Sequence, residues 1–349
     1  MNTSRTTSTR KASGRRKSSL TSLLSFKSIR RASVTSWHSV ASTFSTKRRQ
    51  SSIHVREKCA DNRKPSLFEV DGKVLKQIRQ KLLTIVEQQP TIYHSKDVES
   101  IREDDWFLVR FVLAASETSN NKLLVDSIVA TIDECLKWRL GIGINDLKDT
   151  DIPRELYAMG SVVRGTDVKG NPVLYLRTGR SRKVTGWTEV SVKFLVYMIE
   201  SAIKSAGPFR QVGIFIDTSE ASVSHVNMPL ILRLIPLISK FYPSMAEYIY
   251  VYELPWLFSK CCSMAVAMLS DKTRRLVKMV DKRTFRELAG SDLNIPDYLG
   301  GQLETWIPMP ANDKQCVSLE DFARLNSVSE QDIRKGRKEI DKLLILNSK

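Results

Sequence analysis

Histidine is scarce in this chain. There are four in 349 residues; His38 and His54 lie near the N-terminus, His94 in a linker, and only His225 falls where strands and helices alternate. A Ser-His-Asp arrangement would have to recruit His225 with Ser219 or Ser222 and Asp217. The segment IDTSEAS lacks the Gly-x-Ser-x-Gly elbow that exposes a nucleophile. Five cysteines (Cys59, Cys135, Cys261, Cys262, Cys316) show no CxxC spacing, and no His/Cys pair has metal-ligand spacing. A phosphate-cradling Gly-x-x-x-x-Gly-Lys-Ser/Thr run is missing too. The bare Gly141-Ile142-Gly143 follows a helix end, where a C-terminal stop explains it. Catalysis and a structural metal are therefore disfavoured, and the expectation is a protein that is not an enzyme.

Long apolar runs are absent as well, none approaching the ~18 residues that a membrane-spanning helix needs. No apolar segment precedes a small-residue cleavage site. Neither a transmembrane span nor secretion is expected, and scattered thiols suit a reducing, cytoplasmic setting.

Acidic residues are missing where bases are dense. Residues 1–60 hold fourteen Lys/Arg and one acid, Glu57, so they carry +13 of the chain's +17. Residues 1–64 are rich in Ser, Thr, Arg and Lys, too poor in apolar surface to fold alone, and read as a disordered basic tail. Within them Val34, Trp37, Val40, Ala41 and Phe44 fall at helical spacing among Arg30, Arg31 and Lys47 to Arg49. That pattern suits an amphipathic helix on an anionic membrane surface, or a low-complexity tail whose apolar residues fall so by chance. Ser33 after Arg30-Arg31-Ala32, Ser51 after Arg48-Arg49-Gln50 and, more weakly, Ser13 after Arg10-Lys11-Ala12 resemble sites for basophilic kinases. Acid-free Arg/Ser-rich N-termini are also read as mitochondrial transit peptides, the alternative to a cytoplasmic, membrane-peripheral location. The same charge would serve nucleic acid, but interleaved aromatics are few and no DNA- or RNA-binding motif is present.

Residues 73–150 read as a helical lobe. Val74, Leu75, Ile78, Leu82, Ile85 and Val86 make one helical face ending at Pro90, and further helices are predicted near 104–115 and 121–139. After Pro153 strand candidates at 172–177, 211–217, 247–253 and 276–280 alternate with helices at 187–206, 227–241 and 255–269. This pattern predicts α/β architecture with parallel βαβ units across 151–310. Residues 311–349 read as a charged helical tail with a Leu/Ile face.

The segment Pro255 to Leu269 is apolar on almost every side, interrupted only by Ser259, Lys260 and Ser263 on one narrow stripe. Such a helix is buried in a core or set against lipid. It follows Phe241-Tyr242-Pro243 and an alternating strand, and precedes LSDKTRR and Tyr298-Leu299-Gly300-Gly301. Upstream stand Arg110-Phe111, Lys137-Trp138-Arg139, and Tyr157 to Asp167 leading into Gly170-Asn171-Pro172-Val173-Leu174-Tyr175. The ordered set, from roughly 97 to 308, resembles the CRAL-TRIO family of lipid-binding and lipid-transfer proteins. The GTDVKGNPVLY spacing is also similar to the CRAL-TRIO module of motile-sperm-domain proteins, whose second domain and membrane anchor are not expected here.

The resemblance implies a helical N-terminal lobe and a mixed or parallel sheet floor with flanking helices. It further implies one hydrophobic, phospholipid-like ligand, no other cofactor, and an apolar gate helix through which that ligand is exchanged. The floor would be Val212, Ile214, Ile216, Ile249 and Val251; the gate would use Trp256, Leu257, Phe258, Cys262, Ala265 and Leu269. A monomer is expected, and the alternative is a non-catalytic scaffold that binds a protein partner. Phosphatidylinositol-binding relatives place an acid where Ser244 stands and a lysine at Leu276; phosphatidylcholine-binding ones place hydroxyls at Val212 and Ile214. The head group is left open, with Lys278 or Arg275 as stand-ins for the lysine.

Overall fold

Five strands make one mixed sheet in the order β1-β2-β3-β4-β5 in the computed structural model, which describes residues 70–115, 124–207 and 210–347. β1 (Val162–Thr166) runs antiparallel to β2 (Pro172–Arg177). Asp167 shapes the turn between them, accepting the N–H groups of Lys169 and Asn171 at 2.9 Å each, and Gly170 supplies a φ of +77°. β3 (Val212–Asp217), β4 (Ala246–Tyr252) and β5 (Val277–Val280) follow in parallel. The four predicted strand positions are all occupied.

Parallel neighbours need crossovers, and consecutive strands added in one direction put same-handed crossovers on one face. The packing agrees. Numbered in chain order, α6 (Thr188–Ala206) joins β2 to β3 and α7 (Met228–Phe241) joins β3 to β4. Val190 and Phe194 of α6 and Leu237 of α7 share a core with Leu174 and Ile214 of the sheet. The opposite face carries Tyr175, Phe215 and Tyr252, covered by Phe285 of α10 (Lys282–Ala289) with Ile295 and Tyr298.

The N-terminal lobe comprises α1 (Gly72–Gln88), α2 (Ser95–Glu103), α3 (Asp105–Ala115) and α4 (Leu124–Ile142). Ile78, Leu82 and Val86 of the predicted face bury against Ile101, Leu108, Phe111, Ile132 and Leu136. Helix α2 has no sequence counterpart because only Asp97 and Ile101 of its nine residues are buried, too few to make a period. At the end of α4, Gly143 has φ +69° and its N–H meets Leu140 O at 3.0 Å, the expected helix stop. A short helix, α5 (Arg154–Ala158), leads into β1.

The C-terminal helices α11 (Leu319–Leu325) and α12 (Glu330–Asn347) are part of the main core, not a tail laid beside it. Leu319, Phe322, Ile333, Ile340 and Leu343 bury with the sheet domain, and Trp187 Nε1 donates to Asp332 O at 2.8 Å. Gly336 lets the Trp187 ring approach the helix backbone, since a Cβ there would meet it at 2.3 Å. The basic tail, with Ser13, Ser33 and Ser51, lies outside the described residues.

Candidate functional site

One cross-strand row of the sheet borders a cavity of about 360 Å³. Side chains alternate along a strand, so register decides which residues share a row. Val162 pairs with Leu176, Leu176 with Ile216, and Ile216 with Val251. All four line the cavity. Val212, Ile214 and Ile249 point the same way by alternation but do not line it; Ile214 and Ile249 form the next row, opposite Leu174, and pack into the core with Val212. Of the five predicted floor residues, Ile216 and Val251 therefore border the cavity. Val162 and Leu176 were missed because strand pairing across the sheet is not legible in one strand's pattern.

The walls come from α6 through Phe194 and Leu195, and from α7 through Leu230, Ile231, Leu234 and Ile235. The predicted apolar segment borders the cavity as well. It folds as a 3-10 turn, Trp256–Phe258, followed by α8 (Ser259–Ala267); Leu269 falls beyond the helix end and does not line the cavity. Phe258, Cys262 and Ala265 face inward together with Cys261. Trp256 and Leu257 face outward, 85% and 51% exposed, and no residue of α8 is buried. A helix of sequence SKCCSMAVA that reads as buried thus has a hollow on one side and solvent on the other.

Arg274, in α9 (Asp271–Leu276), holds the far end of this segment. Its guanidinium donates to the carbonyls of Val266 at 3.4 Å, Ala267 at 3.3 Å and Leu269 at 3.0 Å, while Asp271 pairs with it at 3.0 Å. These are the carbonyls that a helix C-terminus leaves without intrahelical partners.

The cavity's polar end lies past the carboxyl ends of β2 and β3, where Ser181, Arg182 and His225 join the lining. Arg182 Nη1 contacts His225 Nε2 and donates to Ser181 O at 3.0 Å. His225 Nδ1 accepts the Ser222 N–H at 2.9 Å. Burial first, then the Arg182 charge, holds His225 below the ordinary imidazole value. Asp217 bonds Ser219 Oγ at 2.7 Å and does not orient His225. A histidine held neutral by a neighbouring guanidinium, with no carboxylate behind it, is a poor general base. Among the described residues no cluster of three or more His, Cys, Asp or Glu could hold a metal, and no helix is long and apolar enough to cross a membrane.

The remaining motif residues build a joint. Arg139 bonds Asp97 at 2.7 Å, Glu200 of α6, and Asn145 at 3.1 Å; Tyr242 OH donates to Glu200 at 2.6 Å. Burial alone would lower the Arg139 pKa, but Glu200 and Asp97 outweigh it and the group is held above its usual value. Burial first, and Glu200 second, push the Tyr242 hydroxyl well up. Arg110 is buried in the lobe with its guanidinium 5.7 Å from the Phe107 ring centroid. Ser244, Leu276, Lys278 and Arg275 do not line the cavity, so none of the positions compared with phosphatidylinositol-binding relatives reaches it.

Residues 159–301 match the CRAL/TRIO domain, the stretch that runs from just before β1 to the end of the covering loop. Among solved structures the chain is similar to the crystal structure of Sfh5, at 13% identity and a TM-score of 0.46, over 79% of this chain and 100% of that one.

Proposed function

We propose that the CRAL/TRIO domain carried by this chain holds one lipid-like molecule in the cavity and exchanges it between membranes without catalysing a reaction. The observation that carries this reading is the apolar α8 segment, with a hollow behind it and Trp256 and Leu257 in solvent before it. Moving such a segment onto a bilayer trades contact with ligand for contact with acyl chains. Open and closed states then lie close in free energy, as a shuttle requires. Ile216 and Val251 act as floor, with Val212, Ile214 and Ile249 framing them from one row below. Phe258, Cys262 and Ala265 are the inner face of the gate, Leu269 its trailing end, and Trp256 and Leu257 its interfacial anchors. Lipid extraction and native mass spectrometry of the purified chain, with vesicle-to-vesicle transfer, test this. An empty protein without transfer defeats it. Ile216→Trp, which fills the cavity, abolishes transfer; if cellular activity survives that change, the fold serves as a scaffold for a protein partner.

Recruitment is assigned to the basic tail. Each base near an anionic leaflet contributes about 1 kcal/mol, and a phosphate adds about −1.5 to −2 charge. Phosphorylation at Ser33 and Ser51, with Ser13 as a third site, weakens attraction by the +13 segment. Binding to phosphatidylserine vesicles falls steeply with salt, with deletion of residues 1–60, and with Ser33→Glu plus Ser51→Glu. A deletion chain that binds as well as the full chain removes the tail from this role. Imaging that deletion chain also separates a cytoplasmic, peripheral protein from a mitochondrial one.

A further inference from the structure

The contact between Arg182 and His225 joins two hydrogen-bond donors. His225 Nδ1 accepts the Ser222 backbone N–H, with Ser222 Oγ 3.2 Å away, so the neutral ring carries its proton on Nε2. That nitrogen faces Arg182 Nη1, and a guanidinium has no acceptor to offer. Both groups line the cavity. The nearby carboxylates are engaged elsewhere, Glu220 with Arg180 at 3.6 Å and Glu339 with Lys342 at 2.8 Å. Among the described residues none forms an ion pair with Arg182. The guanidinium's other contacts are to the Ser181 and Gly179 carbonyls, at 3.0 and 3.5 Å, which fix its position without neutralising it. Arg177 also borders the cavity, but its guanidinium lies over the Tyr298 ring, 4.2 Å from the centroid. Arg182 and His225 touch at the cavity's polar end with no carboxylate paired to either, which suits an oxyanion placed beside the pair, where ligands of parallel sheets bind, beyond the carboxyl ends of the strands.

Volume bounds the rest of the ligand. An enclosed hollow of 150 Å³ accommodates benzene, so by proportion the 360 Å³ of this half-open cavity takes at least on the order of 15 non-hydrogen atoms, enough for one acyl chain.

Resting on the lipid-binding reading above, we infer that this pocket takes a single-chain amphiphile with a compact oxyanionic head, carboxylate or phosphate, held beside Arg182 and His225. The neutral state of His225, maintained by burial and by Arg182, keeps its Nε2–H available to that head.

The test titrates the full chain with myristate, methyl myristate and myristoyl lysophosphatidate. The expected result is tighter binding of an anionic ligand than of the ester by about 10- to 100-fold, the range of a charge-assisted hydrogen bond in a water-poor site. Whether myristate or the lysophosphatidate gains more identifies the head. Arg182→Met and His225→Phe each collapse the preference, with circular dichroism and thermal melting of each variant reporting an intact fold; Arg182→Lys retains part of it. The basic tail attracts anions equally in every variant, so its contribution cancels when the preference of one variant is compared with that of another. Equal binding of ester and acid overturns the inference and leaves the lipid pocket standing, as does a preference that survives Arg182→Met. Failure of all three probes overturns the single-chain assignment, and the lipid extraction above then decides whether the pocket binds lipid at all.

Discussion

Trp138 and Phe241 stack with ring centroids 4.8 Å apart and planes 22° from parallel, and the Tyr242 ring meets Trp138 edge-on at 6.1 Å. Phe241 packs against both the lobe core and the sheet core. Arg139, the residue after Trp138, bonds Asp97 and Glu200. Two motifs a hundred residues apart in sequence therefore form a single joint between lobe and sheet. Phe241→Ala is expected to cost about 3 kcal/mol, in the range for aromatic truncations, and a Trp138/Phe241 double-mutant cycle to return a coupling of about 1 kcal/mol. Urea unfolding of the four proteins measures both. Arg139→Met leaves the buried Asp97 and the partly exposed Glu200 without their cation and is expected to cost about 3 kcal/mol.

The C-terminal helix supplies a second test. Gly336→Ala drives a methyl group into the Trp187 ring and is expected to destabilise the protein by about 1–3 kcal/mol. Trp187 fluorescence should report the displacement. A stable Gly336→Ala protein would mean that α12 can slide without loss.

For the gate, Trp256→Ala separates membrane affinity from stability. The side chain is exposed, so thermal stability should change by less than about 0.5 kcal/mol. Vesicle binding should weaken by roughly tenfold or more, the loss of one large apolar side chain from the interface. Sedimentation with liposomes measures it.

His225 gives a pH dependence whose sign follows from its depressed pKa. The unfolded chain binds a proton near the ordinary value of 6.5, before the folded one does. Stability is therefore lost as pH falls through and below that value, opposed only by Glu220 and reinforced by Arg182. Between pH 7 and pH 5 the melting temperature should fall more steeply for the native protein than for His225→Gln.

The parts of this architecture that were legible in the sequence are those written as local periods. The 74–86 face, the strands at 172–177 and 212–217, and the glycine stop after α4 each depend on neighbours within a turn or two. The joint was visible only as motifs, because nothing local says that Arg139 meets Glu200. Of the floor and gate residues that the resemblance implied, Ile216, Val251, Phe258, Cys262 and Ala265 border the cavity, while Val212, Ile214 and Ile249 do not, because alternation gives the face of a strand and not the depth along it. Arg182 sits in an Arg/Lys/Gly-rich loop whose composition signals only solvent exposure; its partner is 43 residues away. Arg274 was read within LSDKTRR, with no sign that it would bond the preceding helix end.

The row structure of the floor has a metric consequence. Successive rows on one face of a strand are two residues, about 6.6 Å, apart. The hollow stops where Leu174, Ile214 and Ile249 fill the next row. On the lipid-binding reading proposed above, ligand length is measured in steps of that size by a ruler whose graduations are side-chain volumes. Trimming those three residues to alanine moves the end stop by one graduation and leaves the head-group end untouched, so chain length and head chemistry can be selected independently.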